Sequence, residues 1–213
     1  MKKVIYMTLA DYKNIPITVK GLQSVYPDIK SIHSKILSLE DSHRIIRLKR
    51  GLYICSENDT GEPVSNEILA NHIYGPSYVS RETALRYYGL IPEAVYITRS
   101  MTTKHTRVFE NKLGLFEYTE CDKDYFHIGI SQVVENEENC FLIATKEKAL
   151  CDTICYTKGL ELRFQKDVIN YLENDIRFDM DEFFKMDITI FEECLKVCKK
   201  KNTINNIIKI LSK

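Results

Sequence analysis

The chain has 213 residues, 44% of them hydrophobic and 28% charged, with 8 Gly and 5 Pro. That is the composition of a globular protein, and it excludes a disordered or fibrous one. Basic and acidic residues number 30 each, yet residues 1–55 hold ten Lys/Arg against four Asp/Glu, so the remainder carries the compensating excess of six acids. A basic first quarter on an acidic body fits an N-terminal module that faces a polyanion.

The start, MKKVIYMTLADYKN, lacks the apolar run and small-residue site of a secretory signal, and no run of 18 apolar residues follows anywhere. A cytoplasmic protein without a membrane span is expected. The seven cysteines, 55, 121, 140, 151, 155, 194 and 198, then read as reduced thiols, mostly small core residues.

In chain order, Thr8 is placed to cap a short helix over residues 9–14 with Leu9, Tyr12 and Ile15 on one side, ended by Pro16. Thr18 caps a second over residues 19–26, with Leu22, Val25 and Tyr26 inward, and Pro27 stops it. Asp28 is expected to cap a third, in which Ile29, Ile32, Ile36 and Leu39 recur at helical spacing and Lys30, Ser31, Ser34, Lys35 and Ser38 fall on the other faces. RIIRLKRGLYIC, residues 44–55, reads as a hairpin with a basic tip, Gly51 supplying the positive φ of a short loop. Residues 57–63, ENDTGEP, form a polar, turn-rich linker, so two domains are expected, 1–60 and 61–213.

Beyond the linker, helices are predicted within residues 64–74 and 80–90, the second opened by Ser80 and closed by Gly89, with Pro92 securing the stop. Short strands follow in AVYITRS, TRVFE, LFEYTE and YFHIGI between Ala94 and Ser131, and an antiparallel sheet is expected. Thr145 caps a helix through residues 146–157, and residues 165–211 have helical periodicity with breaks near Asn174 and Asp187. The fold class is α+β: an N-terminal winged helix-turn-helix, then a mixed α+β domain with a helical C-terminus.

Three short helices and a basic hairpin follow the order of a winged helix-turn-helix, whose last helix enters the major groove while the wing tracks the backbone. Base-edge contacts are assigned to Lys30, Ser31 and Ser34, and phosphate contacts to Lys20, Lys35, Arg47, Lys49 and Arg50. The polar run Thr102, Thr103, Lys104, His105, Thr106, Arg107 is a second candidate for phosphate, chiefly through Thr102, Lys104, His105 and Arg107; an exposed strand edge protected by charge accounts for it equally well. His33 and His43 have no metal spacing around them and are assigned no role.

RGLYI (50–54), PSYVSRETALRYYGLIPE (76–93), ITRSMTTKHTRVFENKLGLFEY (97–118) and IATKEKALCDTICY (143–156) together resemble the AbiEi antitoxins over roughly residues 5–160. The helices beyond Lys166 match that pattern less clearly. The resemblance implies the antitoxin of a type IV toxin–antitoxin system for phage defence. Such proteins repress their own operon by binding inverted repeats of double-stranded DNA through the winged domain, and counter a nucleotidyltransferase-like toxin without an obligatory stable complex. The resemblance assigns no cofactor and no catalysis.

Two other readings rest on the residues themselves. Cys151 with Cys155 and Cys194 with Cys198 are each one helical turn apart, but their apolar surroundings favour core thiols over zinc. Lys146, Glu147, Lys148 and Asp152, with Glu117, Glu120 and Asp122, outline a nuclease-like acidic site for Mg2+, making the alternative a nucleic-acid-processing enzyme targeted by the winged domain. No P-loop, dinucleotide fingerprint or nucleophile elbow occurs, so no enzyme is expected. A third reading is a protein-interaction module in which the hairpin is incidental.

Overall fold

The computed structural model describes residues 7–92, 96–135 and 139–213. The protein is mixed α+β and ends in helices. Its first part opens with a single 3-10 turn, Ala10–Tyr12, in place of the expected helix: Thr8 does not cap it but donates its amide and hydroxyl to Asp11. Next come strand β1 (Ile17–Thr18), helix α1 (Val19–Val25), helix α2 (Ile32–Asp41) and the hairpin β2 (Ile45–Lys49) and β3 (Leu52–Cys55). Thr18 caps α1 by accepting from the Gly21 amide, as its position before the apolar repeat predicts.

The strands form a three-stranded sheet in the order β1-β3-β2, with Ile17 opposite Tyr53. Gly51, at φ 79°, makes the turn between β2 and β3, a left-handed conformation that costs glycine little. Strand β3 is buried throughout because it has a core on each side. Tyr53 and Cys55 face a small cluster with Leu9, Ile17, Leu22, Ile36, Leu39 and Ile45, whereas Leu52 and Ile54, with Leu48 of β2, belong to the large core of the rest of the chain. Period-two alternation produces this division. The segment expected as a linker holds the one-turn helix α3 (Glu57–Thr60), closed by left-handed Gly61.

The larger body centres on a six-stranded sheet built from β4 (Ser77–Val79), β5 (Ile97–Thr102), β6 (Arg107–Asn111), β7 (Gly114–Glu120), β8 (Ile130–Val134) and β9 (Cys140–Ala144), in the order β6-β7-β5-β4-β9-β8. The sheet is mixed, which corrects the antiparallel expectation: β5 runs parallel to β7 and β4 parallel to β9. The first residues of the strand expected from Ala94 lie outside the described residues. In YFHIGI, Tyr125 and Phe126 close helix α6 (Lys123–Phe126) and are buried, and the chain becomes a strand only at Ile130.

Helices α4 (Asn66–Ile73), α5 (Arg81–Tyr87) and α7 (Lys146–Tyr156) pack on the sheet. Gly89, at φ 72°, ends the α5 region, and Thr145 caps α7 through the Lys148 amide, both as expected. After them come α8 (Gln165–Asn170) with a π-turn at Tyr171–Asp175, α9 (Met180–Phe183), α10 (Ile188–Val197) and α11 (Lys201–Leu211). Asn174 falls in the π-turn and Asp187 is the N-cap of α10. Apolar stripes bury Phe191, Cys194, Ile204 and Ile207 in the large core.

Two polar networks pin the body together. Lys148 Nζ, wholly buried, lies 3.0 Å from Asp152 Oδ1 and donates to the Tyr125 carbonyl at 3.1 Å. Asp152 Oδ2 accepts from Ser80 at 2.6 Å and from Tyr78 at 3.0 Å. Ser80 therefore sits at the start of α5 but spends its hydroxyl on Asp152 instead of the helix amides. The second network alternates Arg81, Glu117, Arg99 and Glu82 at 3.0–3.6 Å, joining α5 to β5 and β7. Arg81 holds a left-handed φ of 54° there, a strained conformation sustained by its two carboxylate partners.

Candidate nucleic-acid interface

Helix α2 starts at Ile32, three residues later than Asp28 predicts, because Ser31 is its cap and accepts from the Ser34 amide at 3.3 Å. Lys30 consequently lies before the helix, exposed, and not on its first turn. The Ser34 hydroxyl donates to Ser31 at 3.0 Å, so these two candidates form a unit at the helix N-terminus. Ile36 and Leu39 face the small core, and the outward face carries His33, Ser34, Leu37 and Ser38, all exposed. Leu37 is 57% exposed. His33 and Leu37, given no contact role from the sequence, share this exposed face; their i, i+4 spacing, opposite the core positions, is the signal that marks them.

The cations proposed for DNA contact, Lys30 for base edges and the rest for phosphate, separate into two groups. Lys20, Lys30 and Arg50 are exposed and have no acidic partner among the described residues. The others are engaged. Lys35 Nζ lies 4.7 Å from the Tyr26 ring centroid. Arg47 grips Glu40 of α2 with two hydrogen bonds of 3.0 and 2.6 Å and rests over Tyr53. That fork keeps Arg47 above the usual arginine value and ties the hairpin to α2.

Lys49 departs furthest from expectation. Simple alternation puts it on the outer face with Arg47, but a bulge between them pairs Lys49 with Leu52 and turns it towards the body. Its ammonium donates to the carbonyl of Ile73 at the C-terminal end of α4. Burial, then repulsion from Lys104 and Arg107, pulls its pKa below the ordinary lysine value.

That repulsion marks a place where the two sets of candidates meet. Lys49 and Arg107 lie 5.9 and 5.0 Å from the centroid of Phe109, Lys104 lies 5.3 Å from that of Tyr74, and the two rings are 5.6 Å apart. Lys104 also donates to the Gly75 carbonyl, so Lys49 and Lys104 together neutralise the end of α4. Three cations on an aromatic platform, with no carboxylate paired to any of them among the described residues, make a positive patch beside the hairpin. Its charge suits phosphate.

Thr102 is not part of this surface: it is buried, donates to the Pro76 carbonyl at 2.7 Å and accepts from the Lys104 amide. His105 points into solvent, 3.2 Å from Glu120.

The carboxylates of the nuclease-like alternative do not converge. Asp152 is sealed against Lys148, Glu117 is held by Arg81 and Arg99, Glu120 faces His105, and Asp122 lies 3.9 Å from Lys199. Among the described residues, no group of three His, Cys, Asp or Glu is arranged to hold a metal ion. No described helix is long and apolar enough to cross a membrane. No family model matches the chain, and no curated protein matches its sequence.

Proposed function

We propose that this protein is a DNA-binding regulator of the AbiEi antitoxin type. In this reading residues 1–60 are a winged helix-turn-helix, α2 is the recognition helix, and the β2-β3 hairpin is the wing. The protein represses its own operon at inverted repeats and counters a nucleotidyltransferase-like toxin encoded beside it.

The observation that carries the reading is the order of elements, a turn of helix, β1, α1, α2 and a hairpin whose second strand pairs with β1. It leaves His33, Ser34, Leu37 and Ser38 of α2 exposed, beside exposed Arg50 and the Lys49, Lys104 and Arg107 patch. A helix presented in this way fits the major groove, while flanking cations fit the backbone. The patch gives the second domain a share in DNA binding.

An electrophoretic mobility-shift titration tests this, using the full chain against its own upstream region and an unrelated duplex at two salt concentrations. Selective binding to the upstream region, weakening steeply with salt, is the expected result. Equal affinity for both duplexes overturns autoregulation. Co-expression with the adjacent gene tests the antitoxin role: that gene alone arrests growth, and growth returns when this chain is supplied.

A further inference from the structure

The six-stranded sheet ends differently at its two edges. At one edge β6 lies against the hairpin, where the Asn111 side-chain amide donates to the Leu48 carbonyl at 3.3 Å. At the other edge is β8, whose sheet partner is β9.

The register fixes which backbone groups β8 leaves over. Gln132 stands opposite Leu142, and Leu142 spends its amide and its carbonyl on the side chain of Asn71, at 2.6 and 3.4 Å. Facing residues of an antiparallel ladder either point their amides and carbonyls at each other or both point them away. Gln132 therefore directs its amide and carbonyl outwards, and so do Ile130 and Val134, two residues to either side. The flanking bonds agree: the Glu135 amide reaches the Asn139 carbonyl and the Thr145 amide reaches that of Gly129, so the odd-numbered residues are the ones that face β9. Among the described residues, none bonds to the backbone of Ile130, Gln132 or Val134 on the outer side.

Such a row of free groups is a template for another strand, and folded proteins blunt it with charge, proline or a bulge. Strand β8 has none of these: its sequence, ISQVV, is uncharged and lacks proline, and its register with β9 is unbroken. Val134 is 65% exposed, and Leu142 beside the strand is 40% exposed.

We infer that β8 is a dimer interface, pairing antiparallel with β8 of a second copy of this chain about a two-fold axis at Gln132. The strip is complementary to itself. Turned about Gln132, it sets Gln132 against Gln132 of the second copy and Ile130 against Val134 of the second copy, all three positions being those with outward amides and carbonyls, and each pair can exchange two hydrogen bonds. The exposed Val134 gains an apolar neighbour on the same face, and the two Gln132 side-chain amides, each both donor and acceptor, meet at the axis. Charge selects the same arrangement: Glu135 follows the strand directly, and antiparallel pairing sets it across from Gly129 of the second copy, whereas parallel pairing would bring the two Glu135 carboxylates together. A two-fold pair also presents two copies of α2 with the symmetry of an inverted repeat.

Sedimentation equilibrium of the full chain without DNA tests the inference, so its failure leaves the DNA-binding reading standing. The wild type is expected to show twice the 24.9 kDa of one chain at micromolar concentrations. Val134→Lys, which places a charge on an exposed position of the edge, and Gln132→Pro, which removes an outward amide without touching the bonds to β9, each reduce the mass to that of one chain. Val108→Lys, at an exposed position of the opposite edge strand, leaves the dimer intact. The register has its own readout in a Cys140→Ser background. A mixture of Ser131→Cys and Val133→Cys proteins forms a disulfide-linked dimer on mild oxidation, because these residues face each other across the axis at a Cα separation of ~4.5 Å. A wild type with the mass of one chain, a dimer that survives both Val134→Lys and Gln132→Pro, or a mixture that does not cross-link, overturns the inference.

Discussion

Replacing Asp152 with alanine is the sharpest test of how the body is held together. The carboxylate has no solvent exposure; it lies 3.0 Å from an equally buried Lys148 and takes hydrogen bonds from Ser80 and Tyr78. Removing it leaves an ammonium in the core with only the Tyr125 carbonyl as a hydrogen-bond acceptor, together with two orphaned hydroxyls. Breaking one side of a buried pair costs about 3–5 kcal/mol. At ~2–4 °C per kcal/mol for a chain of this size, Tm should drop by roughly 6–20 °C. Circular dichroism melts at fixed protein concentration measure this. The informative step is to add Lys148→Met to Asp152→Ala: the orphaned hydroxyls are the same in both proteins, but the unpaired charge is gone, so the double variant should melt higher than Asp152→Ala alone. If the second substitution lowers Tm further, Lys148 is not stranded in an apolar core and the reasoning fails.

Other predictions follow from the interface. Lys104→Ala with Arg107→Ala should reduce the slope of log K against log salt by ~1.8, about 0.9 for each phosphate no longer neutralised, on upstream and unrelated DNA alike; an unchanged slope removes the patch from the interface. Leu37→Ala should make the protein indifferent to replacing thymine with deoxyuridine in its upstream site, because an apolar side chain reads the thymine methyl in the major groove. If wild type already ignores that replacement, Leu37 does not contact a thymine. Asp59 is held below the usual carboxylate range by hydrogen bonds from Arg44, so its stabilising contribution is present above the unfolded value of about 3.9 and is lost as pH falls through the lower folded value. Asp59→Asn should therefore cost up to ~1 kcal/mol at neutral pH and progressively less in urea melts taken from pH 4 downward. A loss that is constant with pH contradicts this.

Local signals in the sequence located several features correctly. Thr18 and Thr145 mark helix starts because a hydroxyl before an apolar repeat has free amides to satisfy, and Gly51 and Gly89 mark places where the chain takes a positive φ. The inward positions Leu22, Ile36 and Leu39 followed from helical spacing. Choosing between Asp28 and Ser31 as the cap of α2 did not: both are good caps, and a helix from either buries Ile36 and Leu39 equally well.

Longer-range features were less visible. The parallel pairings β5·β7 and β4·β9 join segments separated by other elements, and the strands' own sequences do not encode their direction. Tyr125 and Phe126 have strand-like propensity, yet the core draws them in from a helical turn. The bulge that turns Lys49 inward inverts the side predicted by alternation, which is why the meeting of Lys49 with Lys104 and Arg107 could not be read from either segment alone.

The central claim, that α2 reads DNA and the hairpin anchors it, is most directly tested by fluorescence anisotropy on the upstream duplex and an unrelated one, comparing wild type with Ser34→Ala/Leu37→Ala and with Arg50→Ala. The account predicts that the α2 variant loses preference between duplexes while keeping the salt slope, and that Arg50→Ala keeps the preference while binding both more weakly, with a slope smaller by ~0.9. Identical effects of the two variants, or a wild type that binds both duplexes equally, would contradict it.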